Sequence, residues 1–263
     1  MAVMGTGVSE RSVSAPLTFA VPGKAPRTVD LRQLEQLGVE TVRVFDPNYR
    51  KEKRFRAVRM DRVLRLGFRG PELSGQELML RARDGYAVFV PAARLLEPGA
   101  YLALGDVDVP GWEPVGPRGD NPGPFYVVWA RESQRSTERY PRPWQLAGIE
   151  LSSLEARYPH VRPRGIPDGA PALQGYELFR SQCISCHAIN REGGRIGPDL
   201  NVPQSIVEYR PEDQIRAYIL NPLQFRYGTM PPHPEMTAAQ LDALMAYFRV
   251  MKAQKHDPDR PSP

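Results

Sequence analysis

Several features that commonly classify a protein are scarce in this sequence. Its 263 residues contain two cysteines, which is too few for a disulfide framework or for a four-thiolate zinc site. No run approaches the roughly 18 consecutive apolar residues of a membrane-spanning helix. We therefore expect a chain that folds without disulfides and without a membrane span.

The charge pattern argues against nucleic acid as a partner. The net charge is +5, and residues 1–166 carry 25 basic and 19 acidic side chains against 10 and 11 in residues 167–263. This mild excess lacks the dense basic and aromatic footprint of nucleic-acid-binding proteins. Hydrophobic residues make up 41% of the chain and charged residues 25%, which is ordinary for a globular protein.

Composition along the chain predicts a multidomain protein with an α+β, mainly β front domain and an all-α second domain. Proline and glycine are plentiful, at 28 and 22 residues, so the elements should be short. The predicted parts are a flexible arm at 1–25, the mainly β domain at 26–150, a Pro-rich linker at 151–170, the helical domain at 171–255 and a disordered tail at 256–263.

Local patterns define the main elements of these parts. Apolar alternation predicts a strand over 39–45, and the apolar run over 125–130 predicts a buried strand. Asp84-Gly85 between two alternating runs is a strong hairpin signal. Apolar residues at helical spacing predict a short helix near the start of the front domain and three helices in the second domain. These three helices span 173–185, 211–220 and 237–252.

A basic stretch runs from Tyr49 to Arg62. It contains seven basic residues and only two acidic ones, Glu52 and Asp61. A solvated strand or helix face explains such a run without any binding role, and docking to an acidic partner is the other interpretation. The sequence leaves both open.

Both cysteines lie in the motif Cys183-Ile184-Ser185-Cys186-His187. Two thiols three positions apart can form thioethers with the two vinyl groups of one haem, and the next residue places an imidazole under the iron. A redox disulfide or half of a zinc site would use the same spacing. However, no second cysteine pair completes a zinc site, and no βαβ pattern leads into the motif. We expect one covalently attached haem c, with His187 as an iron ligand.

The sixth iron ligand should come from the segment that follows. Met230 stands in Tyr227-Gly228-Thr229-Met230-Pro231-Pro232, where two prolines stiffen the chain and can hold a thioether at a fixed place. Met236 and His233 are the rivals, and an open or water-bound position is the remaining alternative. Met245 and Met251 lie on the last helix, where methionine usually packs in the core.

Residues 171–255 resemble a class I monohaem cytochrome c. Gly175 and Phe179 stand where the first helix of that family packs against the last, and Tyr247 falls at its aromatic position on the last helix. Gly197-Pro198-Asp199-Leu200 resembles the family's GPxL segment. The resemblance implies that the Pro198 carbonyl accepts a hydrogen bond from the His187 ring and so orients that ligand.

The front domain resembles the molybdopterin-binding fold of the sulfite oxidase family more faintly. The resemblance lies in Asp84-Gly85-Tyr86, in residues 91–96 and in Val127-Val128-Trp129, although Asp84-Gly85-Tyr86 by itself can be a simple hairpin. That family binds molybdenum through a cysteine, and both cysteines here belong to the haem motif. We expect a degenerate relative that binds no molybdopterin and serves as an interaction platform.

Three functions are compatible with these motifs. The first is a periplasmic, non-catalytic cytochrome that transfers single electrons as a subunit of, or partner to, a larger oxidoreductase or respiratory complex, including a membrane-associated one. The second is a molybdopterin-dependent enzyme similar to sulfite dehydrogenase, with a fused haem c domain. The third is a gas or redox sensor with an open iron position.

The expected location is the periplasm, because haem attachment in bacteria normally follows export. Residues 1–20 show no basic region followed by an apolar core, which a signal peptide would have. We therefore expect that a leader has been cleaved or left out and that Met1 is an added or misassigned start.

Overall fold

The computed structural model describes residues 16–70, 72–116 and 118–260. Two β-sheets lie before residue 152, and most of the helical structure follows residue 170. A β-rich front region followed by a helical region confirms the coarse prediction from the sequence.

The first sheet has five strands, and its last strand is an edge strand that contacts the segment of residues 183–187. In spatial order they are β2 (Arg27–Val29), β1 (Leu17–Ala20), β9 (Leu146–Leu151), β5 (Glu77–Ala82) and β6 (Ala87–Pro91). Strands β1 and β9 are parallel, and the other neighbours are antiparallel. The turn between β5 and β6 contains Asp84-Gly85, with Gly85 at φ +96°, so the predicted hairpin is confirmed.

The second sheet has four antiparallel strands. In spatial order they are β3 (Glu40–Asp46), β4 (Lys51–Arg59), β7 (Ala100–Asp106) and β8 (Tyr126–Trp129). Strand β4 is the basic stretch, and its side chains alternate: Lys53 and Phe55 are buried while Arg54 and Arg56 are exposed. The period-two alternation of a strand explains how so basic a segment still contributes to the core.

Three short helices complete the front region: α1 (Leu31–Glu35), α2 (Met60–Phe68) and α3 (Ala92–Leu95). Asp30 caps α1 by accepting a hydrogen bond from the Gln33 backbone. Helix α2 packs closely on β1, because a Cβ at Gly67 would lie 2.2 Å from the ring of Phe19. A glycine is therefore required at this crossing.

The second region is built from helices and one short hairpin. The helices are α4 (Leu154–Arg157), α5 (Pro171–Leu178), α6 (Ile206–Tyr209), α7 (Glu212–Leu220) and α8 (Ala238–Ala253). Two-residue strands β10 (Ala188–Ile189) and β11 (Glu192–Gly193) form a hairpin, which the predicted all-α fold did not include. Three-residue 3₁₀ turns lie at Glu132–Gln134 and Pro222–Gln224.

Helices α5 and α8 cross at a glycine. A Cβ at Gly175 would lie 2.0 Å from the carbonyl oxygen of Ala243, so no larger residue fits there. The rings of Phe179 and Tyr247 pack beside this crossing with their centroids 5.4 Å apart. The close approach brings the start of the haem motif onto the last helix.

Residues 17–20 differ from the predicted flexible arm. They form β1, with Leu17 and Phe19 buried in the core of the front region. Two apolar side chains at alternate positions are enough to fix this segment, because β9 and β2 supply its hydrogen-bonding partners. The rest of the predicted arm up to residue 15 lies outside the described residues.

Residues 151–170 are not a free spacer, although they are rich in proline. Leu154, Tyr158 and Val161 are buried in the same hydrophobic cluster as α8, so this segment packs on the helices that follow it. The spaced apolar side chains of this segment reach that cluster. The free energy gained by burying them holds the segment in place, although its sequence is rich in proline. The position of the domain boundary within it stays a prediction.

The predicted disordered tail, 256–263, is ordered at its start. The His256 ring stacks on His160 with centroids 3.7 Å apart, and Asp257 lies 3.8 Å from Arg191. These contacts hold the chain after α8, and residues 261–263 lie outside the described part. Among the helices of the described residues, none has the length and apolar character needed to cross a membrane.

Candidate haem site

The two cysteines and the histidine of the motif share one tight turn. Helix α5 continues as a π-helical turn over Phe179–Cys183, and the backbone N–H groups of Cys186 and His187 then donate to the Cys183 carbonyl at 3.1 Å and 2.9 Å. This places the two sulfurs one turn apart, with the imidazole directly after the second. No disulfide joins the cysteines.

The carbonyl of Pro198 fixes the orientation of the His187 ring. The distance from His187 Nδ1 to Pro198 O is 3.0 Å, so Nδ1 carries the proton and Nε2 keeps a free lone pair. Burial lowers the pKa of His187, against smaller opposing effects of this hydrogen bond and of Asp199. A neutral imidazole with Nε2 free is the form that binds iron.

A glycine-rich loop lies directly against this turn. A Cβ at Gly197 would stand 2.4 Å from Cε1 of His187, and a Cβ at Gly194 would stand 2.1 Å from the Ser185 carbonyl oxygen. The backbone N–H of Gly197 donates to the Cys186 carbonyl at 2.8 Å. The loop therefore cradles the motif by backbone contact, and a side chain at either position would displace it.

Their surroundings make both thiols weaker acids than ordinary cysteines. Burial, and next the neighbouring Cys186, raise the pKa of Cys183 to about 12. The pKa of Cys186 is raised to about 11 by burial and then by Asp84. Reactive disulfide-forming cysteines instead have lowered pKa values. The residues present thus fit covalent haem attachment better than a redox disulfide.

A buried pair of asparagines ties the loop after the motif to the last helix. Asn201 donates to Asn190 Oδ1 and to the Met251 carbonyl, both at 2.8 Å, and Asn190 donates to the carbonyls of His160 and Gln254. The sequence offered no sign of this network, since isolated asparagines in a loop have no distinctive spacing. The adjacent glycines Gly193 and Gly194 did indicate that the glycine-rich loop packs closely, but the prediction from sequence did not include this contact.

The methionines of the second region differ in burial. Met236, Met245 and Met251 are core residues, at most 8% exposed. Met230 is half-buried at the edge of the hydrophobic cluster that Cys183 also touches. The His233 ring lies 3.5 Å from the carboxylate of Glu235. Met230 is thus the candidate whose side chain is least committed to other contacts, and its role stays a prediction.

The basic strand β4 is largely neutralised by its neighbours. Lys51 and Lys53 both pair with Glu113 at 2.6 Å, and Lys53 also contacts Asp106. Carboxylates likewise pair with the exposed arginines of this strand, as seen in Arg54–Asp108, Arg56–Glu35 and Arg59–Asp61. This pairing favours a structural, solvated face over a docking face for acidic partners.

Comparison with known proteins agrees with the geometry of the motif. Residues 172–252 match the family model described as Cytochrome c. They form a cytochrome c domain. This domain implies haem c binding and electron transfer, and it contains the whole motif together with Pro198 and Met230.

One relative is similar to part of this chain. It is the cytochrome c oxidase subunit 2 of Alkalihalophilus pseudofirmus, 30% identical over 96 residues. The aligned stretch covers 34% of this chain and 28% of the relative, so the chain spans about a quarter of that protein's length. The similarity concerns only this stretch.

Replacing Gly197 by alanine should disturb the iron ligand. The new methyl group would collide with the His187 ring, and overpacking of this kind costs about 1–3 kcal/mol. We expect a lower melting temperature and a partly high-spin ferric spectrum in Gly197→Ala. The control is Gly105→Ala, where the nearest atom to an added Cβ is 4.0 Å away. A wild-type spectrum in Gly197→Ala would contradict the predicted contact.

Two methionine variants distinguish the predicted iron ligand, Met230, from a methionine of the core. Met230→Ala should abolish the thioether-to-iron charge-transfer band at the red end of the ferric spectrum. Met236→Ala should keep the band and lose about 2–5 kcal/mol of stability, because this side chain is buried. Loss of the band in Met236→Ala instead would show that the wrong methionine has been assigned.

Proposed function

We propose that this protein is a periplasmic c-type cytochrome that transfers single electrons to or from a larger oxidoreductase or respiratory complex. The observation that carries the proposal is the turn of residues 183–187, in which two half-buried thiols adjoin an imidazole whose Nδ1 faces Pro198 O at 3.0 Å. This donor set suits one covalently held haem. Haem c, when bound, supplies reversible one-electron chemistry at its iron.

The chain's own residues set the conditions for that chemistry. Cys183 and Cys186 would form the thioether links to the haem, and His187 and Met230 would ligate its iron. Pro198 keeps the imidazole in one tautomer and raises its basicity as a ligand. A thioether ligand from Met230 would favour the ferrous state and would leave no position for a substrate.

The type of partner is inferred from the comparison. The relative is a subunit of cytochrome c oxidase by its name, which supports a respiratory complex as the electron partner of this chain. Periplasmic location is proposed because c-type haem is normally attached after export. The front domain is proposed to act as a platform in such a complex.

The front domain is assigned no molybdopterin. The sulfite oxidase family binds molybdenum through a cysteine thiolate, and both cysteines of this chain belong to the turn of residues 183–187. Any catalytic use of the front domain would therefore need a different ligand. The proposed role of the whole chain is electron transfer without a second reaction.

Metal analysis with a redox titration tests this proposal. Protein produced with the haem attachment machinery should contain about one iron and no molybdenum per chain and should titrate with one electron. The reduced form should not bind carbon monoxide, because Met230 fills the sixth position. About one molybdenum per chain with haem reduction by sulfite would support the enzyme instead, and rapid carbon monoxide binding would support a sensor.

A further inference from the structure

The turn between β5 and β6 of the front region lies against the haem motif. The Gly85 carbonyl accepts a hydrogen bond from the Arg195 backbone N–H at 3.0 Å, and the Ala87 N–H donates to the Ser185 carbonyl at 3.1 Å. Ser185 lies within the motif and Arg195 lies in the glycine-rich loop. Two backbone hydrogen bonds therefore attach the front sheet to the segments around Cys186.

These bonds use the free edge of the five-stranded sheet. Strand β6 is the last strand of that sheet, and an exposed edge strand invites pairing with other chains. The Ala82 N–H donates to the Tyr86 carbonyl at 2.8 Å, so the alternation of an antiparallel pair turns the next N–H, that of Ala87, outward. The haem motif supplies the acceptor that this outward N–H needs.

Apolar contacts reinforce the junction. Met79 and Ala87 of the front sheet are buried in the same cluster as Ile184 of the haem motif. The Phe89 ring meets Tyr158 edge to face with centroids 5.4 Å apart. A buried apolar junction with hydrogen bonds at its margin resists separation more than hydrogen bonds alone.

Tyr86 lies between the two residues, Gly85 and Ala87, whose backbones bond to the loop and to the haem motif. Its ring is half-buried, and its pKa is raised to about 12 by burial and, to a smaller extent, by Cys186, while the Ser185 side chain acts in the opposite direction. Asp84 on the same turn adds its charge to the surroundings of Cys186. The backbone hydrogen bonds of Gly85 and Ala87 on either side hold Tyr86 beside the Ser185-Cys186 segment.

We propose that the turn of residues 84–86 forms a wall of the haem site, in which Tyr86 is a positioning residue that holds the Ser185-Cys186 segment and excludes water from the Cys186 thioether. The inference rests on the proposed binding of haem c. It gives Asp84-Gly85-Tyr86 a role that needs no molybdopterin.

The reduction potential of the intact haem-containing protein tests the proposed wall. Tyr86→Ala should admit water, which stabilises the more highly charged ferric state and lowers the potential. We expect the ferric-to-ferrous ratio at a fixed potential to rise about tenfold, equivalent to about 59 mV for one electron. Tyr86→Phe keeps the ring and should show the wild-type ferric-to-ferrous ratio.

The matched control is Tyr101→Ala. Tyr101 is also half-buried, but it lies on β7 of the other sheet, so its loss should leave the potential unchanged. An unchanged potential in Tyr86→Ala would overturn the inference while leaving the proposed electron transfer intact. A wild-type protein without covalent haem would overturn the proposed function and this inference with it.

Hydrogen exchange of the wild-type protein provides a test without any substitution. The N–H groups of Ala87 and Arg195 should exchange slowly, since each is bonded across the junction. The Asp84 N–H makes no hydrogen bond with another described residue and is the fast reference. Exchange of Ala87 and Arg195 as fast as that of Asp84 would show that the junction does not persist in solution, and would overturn the inference even if Tyr86→Ala fails to fold.

Discussion

The hydrogen bond between His187 Nδ1 and Pro198 O sets the orientation of the imidazole that is proposed to ligate iron, and much of the second region keeps these two groups together. Gly197 permits the approach, because any side chain there would meet the imidazole. The buried asparagine pair then fixes the loop to the last helix. The site is thus defined by backbone contacts around one ring, and its chemistry follows from leaving Nε2 free for iron.

The turn of residues 183–187 is also where the front region and the helical region meet. The front sheet ends in an edge strand whose outward N–H is bonded to the haem motif. A front domain that contacts the motif in this way cannot be regarded as a separate module joined by a spacer. Burial of Leu154, Tyr158 and Val161 in the connecting segment leads to the same conclusion.

The features predicted best from the sequence are those that depend on residues close together along the chain. The Asp84-Gly85 hairpin and the helix predicted over 237–252 are local, and the structure confirms both. The motif of residues 183–187 is also local, and it lies within the segment that matches the cytochrome c family. Contacts between distant segments were not predictable: the packing of β1 in the front sheet, the carboxylates that pair with β4 and the meeting of Gly85 with Arg195. Each depends on long-range folding, which spacing along the chain does not encode.

The central claim is that this chain carries one covalently attached haem c through the turn of residues 183–187. Intact mass spectrometry under denaturing conditions tests it most directly, because a haem held only by iron ligation is lost when the protein unfolds. We expect the mass of the polypeptide increased by that of one haem. The mass of the bare polypeptide, measured on protein matured with the haem attachment machinery, would contradict the account.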